Sequence, residues 1–120
     1  IFQSIPQKNA SNIFYCKSTY ADAKGTLMES GEFIVYKGSL AEQRERPAIR
    51  EYTKQLRRQL ESDGILEKKD ENTLIFTRDY IFKTPSSASE VVKATPSSGW
   101  TSWISEDGKT LSVIKRQEIN

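Results

Sequence analysis

At 120 residues the chain has room for one domain and one small core. Leu, Ile, Val and Phe number 27, a share only just above the roughly 20% below which chains stay disordered, while twelve aromatic residues supply buried area. A complete lack of histidine removes the commonest general base, the Ser/His and Cys/His nucleophile pairs and His-containing zinc sites. The single cysteine, Cys16, has no partner for an internal disulfide, and the formal net charge is only +2. No stretch approaches the roughly 18 apolar residues of a membrane span. The start, Ile1 to Pro6, has no secretory pattern, so a cytoplasmic protein with no membrane partner is expected.

Residues 1–12 are polar and aperiodic and read as a linker or tail from a longer protein; Asn9-Ala10-Ser11, lacking a secretory context, belongs to that linker. Ile13 to Cys16, Ala21 to Met28 and Glu32 to Lys37 are rich in strand formers and are separated by turn signals, which predicts two or three antiparallel strands. Gly38-Ser39 then breaks the sheet pattern. Pro47 is expected to open a long helix over about 48–63, with Ile49, Tyr52, Leu56 and Leu60 on its apolar face and Gly64 as its stop. Ile65 to Lys69 and Thr73 to Thr77 flank Asp70-Glu71-Asn72 as a second hairpin, and Asp79 to Phe82 continues as an extended segment. Pro85-Ser86-Ser87 precedes a short helix over about 86–94, with a serine cap. Gly99 to Ile104 alternates like a strand, Glu106-Asp107-Gly108 turns, and Lys109 to Ile114 is expected to run back.

Charge is unevenly placed along this pattern. From Lys37 to Arg58 there are seven basic and three acidic residues, whereas Glu61 to Asp79 has three basic and six acidic. Arg50, Lys54 and Arg58 repeat every four residues, a spacing that gives repulsion instead of helix-stabilising pairs. With Arg57, and with Arg44 and Arg46 just before the helix, they form a cationic face of the kind that contacts phosphate backbones. Trp100 and Trp103 would point to opposite faces of a strand, one into the core and one outward. The carboxylate pairs Asp70-Glu71 and Glu106-Asp107 sit at turns and read as turn formers, and Cys16 reads as a packing residue.

The runs Ile13-Phe14-Tyr15-Cys16, Ala21-Asp22-Ala23-Lys24-Gly25 and Gly31 to Ser39 resemble the first half of domain-of-unknown-function family 4357. Asp63 to Leu66, Phe76 to Phe82, Pro85 to Ala88, Val91-Val92, Gly99-Trp100-Thr101-Ser102-Trp103 and Gly108 to Leu111 resemble its second half. Ser89, Ala94 and Ser98 depart from the alanine, glycine and asparagine usual at those places. The resemblance implies a C-terminal accessory domain of the kind attached to GIY-YIG-type nuclease modules and to restriction-modification or other DNA-processing proteins, commonly prokaryotic. An upstream catalytic domain of the same chain is implied as a partner.

The expected fold is α+β: a small antiparallel sheet of β-hairpins with one long and one short helix packed on it, forming a single accessory domain over 13–114 with a tail at 115–120. The expected function is non-catalytic binding of nucleic acid, duplex DNA foremost, through Arg44, Arg46, Arg50, Lys54, Arg57 and Arg58. Ser97, Ser98, Gly99, Trp100 and Trp103 form a second candidate surface, where backbone N–H groups could meet a phosphate. No catalytic residue, metal ligand, cofactor or small-molecule substrate is expected. The rival reading is a protein-interaction module that docks on the upstream catalytic domain.

Overall fold

The computed structural model describes residues 13–119, with side chains through residue 115; the linker expected at 1–12 lies outside the described residues. The fold is α+β, as the sequence pattern predicts. Eight strands form one antiparallel sheet: β1 (Phe14–Lys17), β2 (Asp22–Leu27), β3 (Phe33–Val35), β4 (Leu40–Glu42), β5 (Leu66–Lys68), β6 (Thr73–Phe76), β7 (Tyr80–Phe82) and β8 (Ile104–Ser105). Four helices accompany it: α1 (Glu51–Ser62), α2 (Pro85–Lys93), α3 (Gly99–Ser102) and α4 (Leu111–Ile119).

The sheet forks at β2. One edge of β2 pairs with β1, which pairs in turn with β8. Its other edge is shared: Gly25, Thr26 and Leu27 face β3, while Asp22 faces Leu40 of β4. β3 leads on to β7, and β4 leads on to β6 and β5. β4 is a strand where Gly38-Ser39 suggested a break. Three residues without a β-branched side chain give little local signal, and it is the turn at Gly38, with φ of +91°, that swings the chain from β3 onto the other branch.

Period-two alternation sends Phe14 and Cys16 of β1, Ala23 of β2, Phe33 and Val35 of β3 and Phe82 of β7 to one face, where they pack with Leu60, Ala88, Val91, Val92, Trp103 and Leu111 in a single core. All four helices therefore serve the same face of the sheet. The short helix α2 is the central one, with Ala88, Ser89, Val91 and Val92 fully buried. Its cap is Thr84, not a serine: the Thr84 Oγ1 accepts from the Ser87 N–H at 3.0 Å, and Pro85 takes the first helical position.

The longer α1 starts later than expected. Pro47 lies in a turn closed by Ile49 N–H donating to the Arg46 carbonyl at 3.0 Å, and Arg50 is the extended residue before the helix. Its buried residues are Thr53, Arg57 and Leu60, so the helix is rotated from the stripe read along Ile49, Tyr52, Leu56 and Leu60, and Tyr52 is 58% exposed. The stop at Gly64 is as expected: with φ of +75° it lets the N–H groups of Gly64 and Ile65 donate to the carbonyls of Glu61 and Leu60.

Two expected strands are helical. Gly99 to Ser102 forms a helical turn and only Ile104–Ser105 pairs with β1. Gly99 packs closely against the start of α2, where a Cβ would lie 2.2 Å from the Pro85 carbonyl carbon, and the turn is closed by Ser102 N–H donating to the Ser98 carbonyl at 2.9 Å. The run from Lys109 does not return as a strand. After the single bridge between Ile104 and Thr110, α4 begins at Leu111 and continues to Ile119, across the segment read as a tail.

Candidate nucleic-acid interface

The structure separates the six basic residues into two groups. Arg57 is 2% exposed and leaves the surface. Its Nη2 donates to the Glu42 carbonyl at 2.7 Å and to the Gln43 carbonyl at 3.3 Å, its Nη1 donates to the Val91 carbonyl, and its Nε pairs with Glu45 at 3.3 Å. Burial pushes its pKa down and the neighbouring Glu45 opposes that shift. Helical spacing placed it with the other cations; the depth of α1 against β4 and α2 was not legible in that spacing. With these partners the guanidinium has no free donor aimed at solvent for a phosphate.

The remaining five are carried by the 43–50 loop and α1. Arg44 and Arg46 are exposed and Lys54 is half-buried, and none of the three has an ion pair among the described residues. Arg58 pairs with Glu45 at 3.1 Å, and Arg50 with Glu90 at 3.4 Å, yet their side chains remain 60% and 63% exposed. The carboxylate partners are less open, Glu90 at 11% and Glu45 at 25%, so it is the guanidinium ends of both pairs that are accessible to a phosphate. Glu90 is the more deeply held partner, accepting from the Thr53 hydroxyl at 2.8 Å inside the contact between α1 and α2.

The second predicted surface also divides. Trp103 is fully buried, its ring centroid 4.4 Å from that of Phe33 and its Nε1–H donating to the Pro85 carbonyl at 3.0 Å. Gly99 is buried as well, and its N–H donates to Ser86 Oγ at 2.9 Å, which removes it as a phosphate donor. Trp100 stays 38% exposed, Ser98 is exposed, and the hydroxyls of Ser97 and Ser102 share a hydrogen bond at 2.6 Å.

What the fold brings together is Arg50 and the serine loop. A shallow groove runs from Arg50 and Tyr52, past Ser86 and Ser87 on α2, to Ser97 and Ser98. Sequence spacing kept these as two surfaces almost fifty residues apart; the contact between Thr53 and Glu90 makes them one. Ser86 and Ser87 at the start of α2 line the groove, and so does the exposed ring of Tyr52, which the sequence pattern assigned to the apolar face of the helix. Among the described residues, no group of three or more Cys, Asp and Glu is placed to hold a metal ion, and no helix is long and apolar enough to cross a membrane.

No curated protein and no solved structure matches the chain. Residues 14–115 match the family described as a domain of unknown function, DUF4357, and that span holds the forked sheet, α1, α2 and both candidate surfaces. The chain belongs to the DUF4357 family.

Proposed function

We propose that this is a non-catalytic accessory domain that binds nucleic acid through phosphate contacts, duplex DNA foremost, from Arg44, Arg46, Arg50, Lys54 and Arg58. The observation that carries the reading is that these five basic residues fall within the 43–50 loop and the adjoining helix α1, none of them fully buried, with Arg50 opening onto a groove lined by Ser86, Ser87, Ser97 and Ser98 together with Glu90. Arg50 belongs to both the cationic face and the groove. Guanidinium and ammonium groups supply the electrostatic attraction, and serine hydroxyls are donors that position a backbone without reading bases. The resemblance of this chain to domains attached to GIY-YIG-type nucleases and restriction-modification proteins supports DNA as the polyanion and an upstream catalytic domain as the unit it serves. The lack of histidine in the sequence supports a binding role over a catalytic one.

Fluorescence-anisotropy titration of a labelled random duplex tests this directly. Binding should weaken with salt, with a log–log slope of about −0.9 for each neutralised phosphate. The Arg50→Glu/Lys54→Glu variant should lose most of the affinity. A flat titration at low salt, or full affinity in the variant, refutes the reading.

A further inference from the structure

The helices cover one face of the sheet, and the other face carries its own pattern. We propose that this outer face binds single-stranded nucleic acid, with Tyr15 and Tyr36 as stacking platforms and Lys17, Lys24 and Lys37 as phosphate contacts. This site lies on a different layer from the cationic side of α1 and stands independently of it.

The register builds the surface. Tyr15 of β1 lies opposite Ile104 of β8 on one side and Lys24 of β2 on the other. Tyr36, just beyond β3, donates its N–H to the Lys24 carbonyl at 2.9 Å and so continues the same row. The order across the sheet is Ile104, Tyr15, Lys24, Tyr36. Alternation puts these side chains opposite to Phe14, Cys16, Ala23 and Val35, which fill the core. The two tyrosines are thus two strand spacings apart, roughly 9.5 Å, with a lysine between them. Both rings are half-buried and Lys24 is exposed. Lys17 Nζ lies over the face of the Tyr15 ring, 5.7 Å from its centroid, so a stacking base meets the other face or displaces this flexible side chain, and Lys37 follows Tyr36 into the turn at Gly38.

Two shallow depressions flank the row, one beside Tyr15, Lys17 and Ile104, the other beside Lys24, Tyr36 and Lys37. Their charged linings are three lysines against Asp22 and Glu106, with Asp79 beside them accepting from the Lys37 N–H at 2.8 Å, and none of the three lysines has a side-chain ion pair among the described residues. This composition selects the occupant. A protein docked over the row would bury Lys24 without an anion, an arrangement that costs several kcal/mol, and lysine is depleted from protein interfaces for that reason. A single strand supplies unstacked bases for both rings and a phosphate between them for Lys24. Duplex DNA keeps its base faces stacked and cannot use the tyrosines.

The test is an anisotropy titration of a fluorescein-labelled twelve-nucleotide oligothymidylate with the 120-residue chain. Tyr15→Ala and Tyr36→Ala should each weaken binding by roughly 5- to 150-fold, while Tyr15→Phe and Tyr36→Phe, which keep the ring, should bind like the parent. Lys24→Gln, an exposed substitution that leaves the core untouched, should lower the salt slope by about 0.7. Charge reversal in the Arg50→Glu/Lys54→Glu variant should weaken oligonucleotide binding less than either tyrosine-to-alanine change does, even if it abolishes duplex binding. No binding of the oligonucleotide, equal loss in the alanine and phenylalanine variants, or loss confined to the helix variant overturns the proposal. So does sedimentation showing a dimer that the tyrosine changes dissociate, in a chain without oligonucleotide affinity. If the duplex titration alone stays flat, the cationic helix reading falls and this one stands.

Discussion

Arg57 donates to the carbonyl of Val91, and its second terminal nitrogen reaches the carbonyl of Glu42 at 2.7 Å, so one buried cation fastens α1 to both α2 and the end of β4. Glu45 supplies the countercharge to Arg57 at 3.3 Å and also meets Arg58. A residue that looked like a phosphate ligand is therefore part of the fold's internal wiring. Cutting it away leaves two carbonyls inside the protein without donors.

Arg57→Ala is accordingly expected to cost about 3–5 kcal/mol, the scale for removing one member of a buried charged network. Arg57→Lys should recover only part of that, because an ammonium cannot reproduce the planar fork that serves carbonyls on two elements. Urea unfolding of both variants checks the order. Under conditions where Arg57→Lys remains folded it should keep parental duplex affinity; loss of affinity with unchanged stability would return the residue to the binding face.

Gly99 and Trp103 make a second stability prediction. A Cβ at Gly99 would sit 2.4 Å from both the Pro85 oxygen and the Ser86 nitrogen, which are backbone atoms that cannot swing aside. Gly99→Ala should destabilise by about 1–3 kcal/mol or more through overpacking. Trp103→Ala, which empties the centre of the core and removes the indole hydrogen bond to the Pro85 carbonyl, should cost about 3–5 kcal/mol. Trp100→Ala, at a residue 38% exposed, should cost clearly less than Trp103→Ala. Thermal unfolding of the three proteins distinguishes the roles, and a large effect at Trp100 would refute this division.

How far these roles could be read from sequence follows from the range of each signal. The β5–β6 hairpin was legible because its strands and acidic turn are contiguous, and Gly64 was legible as a helix stop because that conformation is a local requirement. The 99–104 segment was not, since alternation of Trp with small polar residues suits a strand until Gly99 meets Pro85, fourteen residues earlier. The four-residue cationic spacing identified Arg50, Lys54 and Arg58 as outward-facing but could not show that Arg57, one position from Arg58, faces inward. Rotating a helix by part of a turn changes no periodicity. The joining of Arg50 to Ser97 and Ser98 depends on tertiary contact alone.

Cys16 gives a probe of global unfolding. It lies on the core side of β1 with 1% exposure, and burial raises its thiol pKa to about 11, against a weaker opposing pull from Lys93. At pH 8 the thiolate is then on the order of one in a thousand, and even that fraction is covered. Iodoacetamide should leave the folded protein unmodified over hours and label it readily in urea. Mass spectrometry reads the result, and rapid labelling without denaturant would mean that β1 opens locally.

Glu42 sets the response to acid. Its carboxylate, on a residue 5% exposed, accepts from the Ser18 hydroxyl at 2.5 Å and from the N–H groups of Tyr20 and Ala21 at 2.7 and 3.2 Å, tying β4 to the β1–β2 turn. Burial alone would raise its pKa, but these hydrogen bonds and the charge of Arg46 outweigh it and hold the group below its ordinary value of 4.5. A pKa depressed in the folded state means that the unfolded chain binds the proton first. Stability from Glu42 is therefore fully present above about pH 4.5 and is lost as pH falls through the lower folded-state value. Asp70 acts in the same direction: the N–H of Asn72, the Thr73 hydroxyl and the Thr73 N–H lower its pKa in the β5–β6 turn. Thermal midpoints measured from pH 7 down to pH 3 should fall mainly below about 4.5 in the parent. Glu42→Gln should be less stable at pH 7 and show a shallower acid limb, because it has no proton to take up. Equal slopes in the two proteins would assign the acid limb to other carboxylates and leave the Glu42 cluster without a measurable part in it.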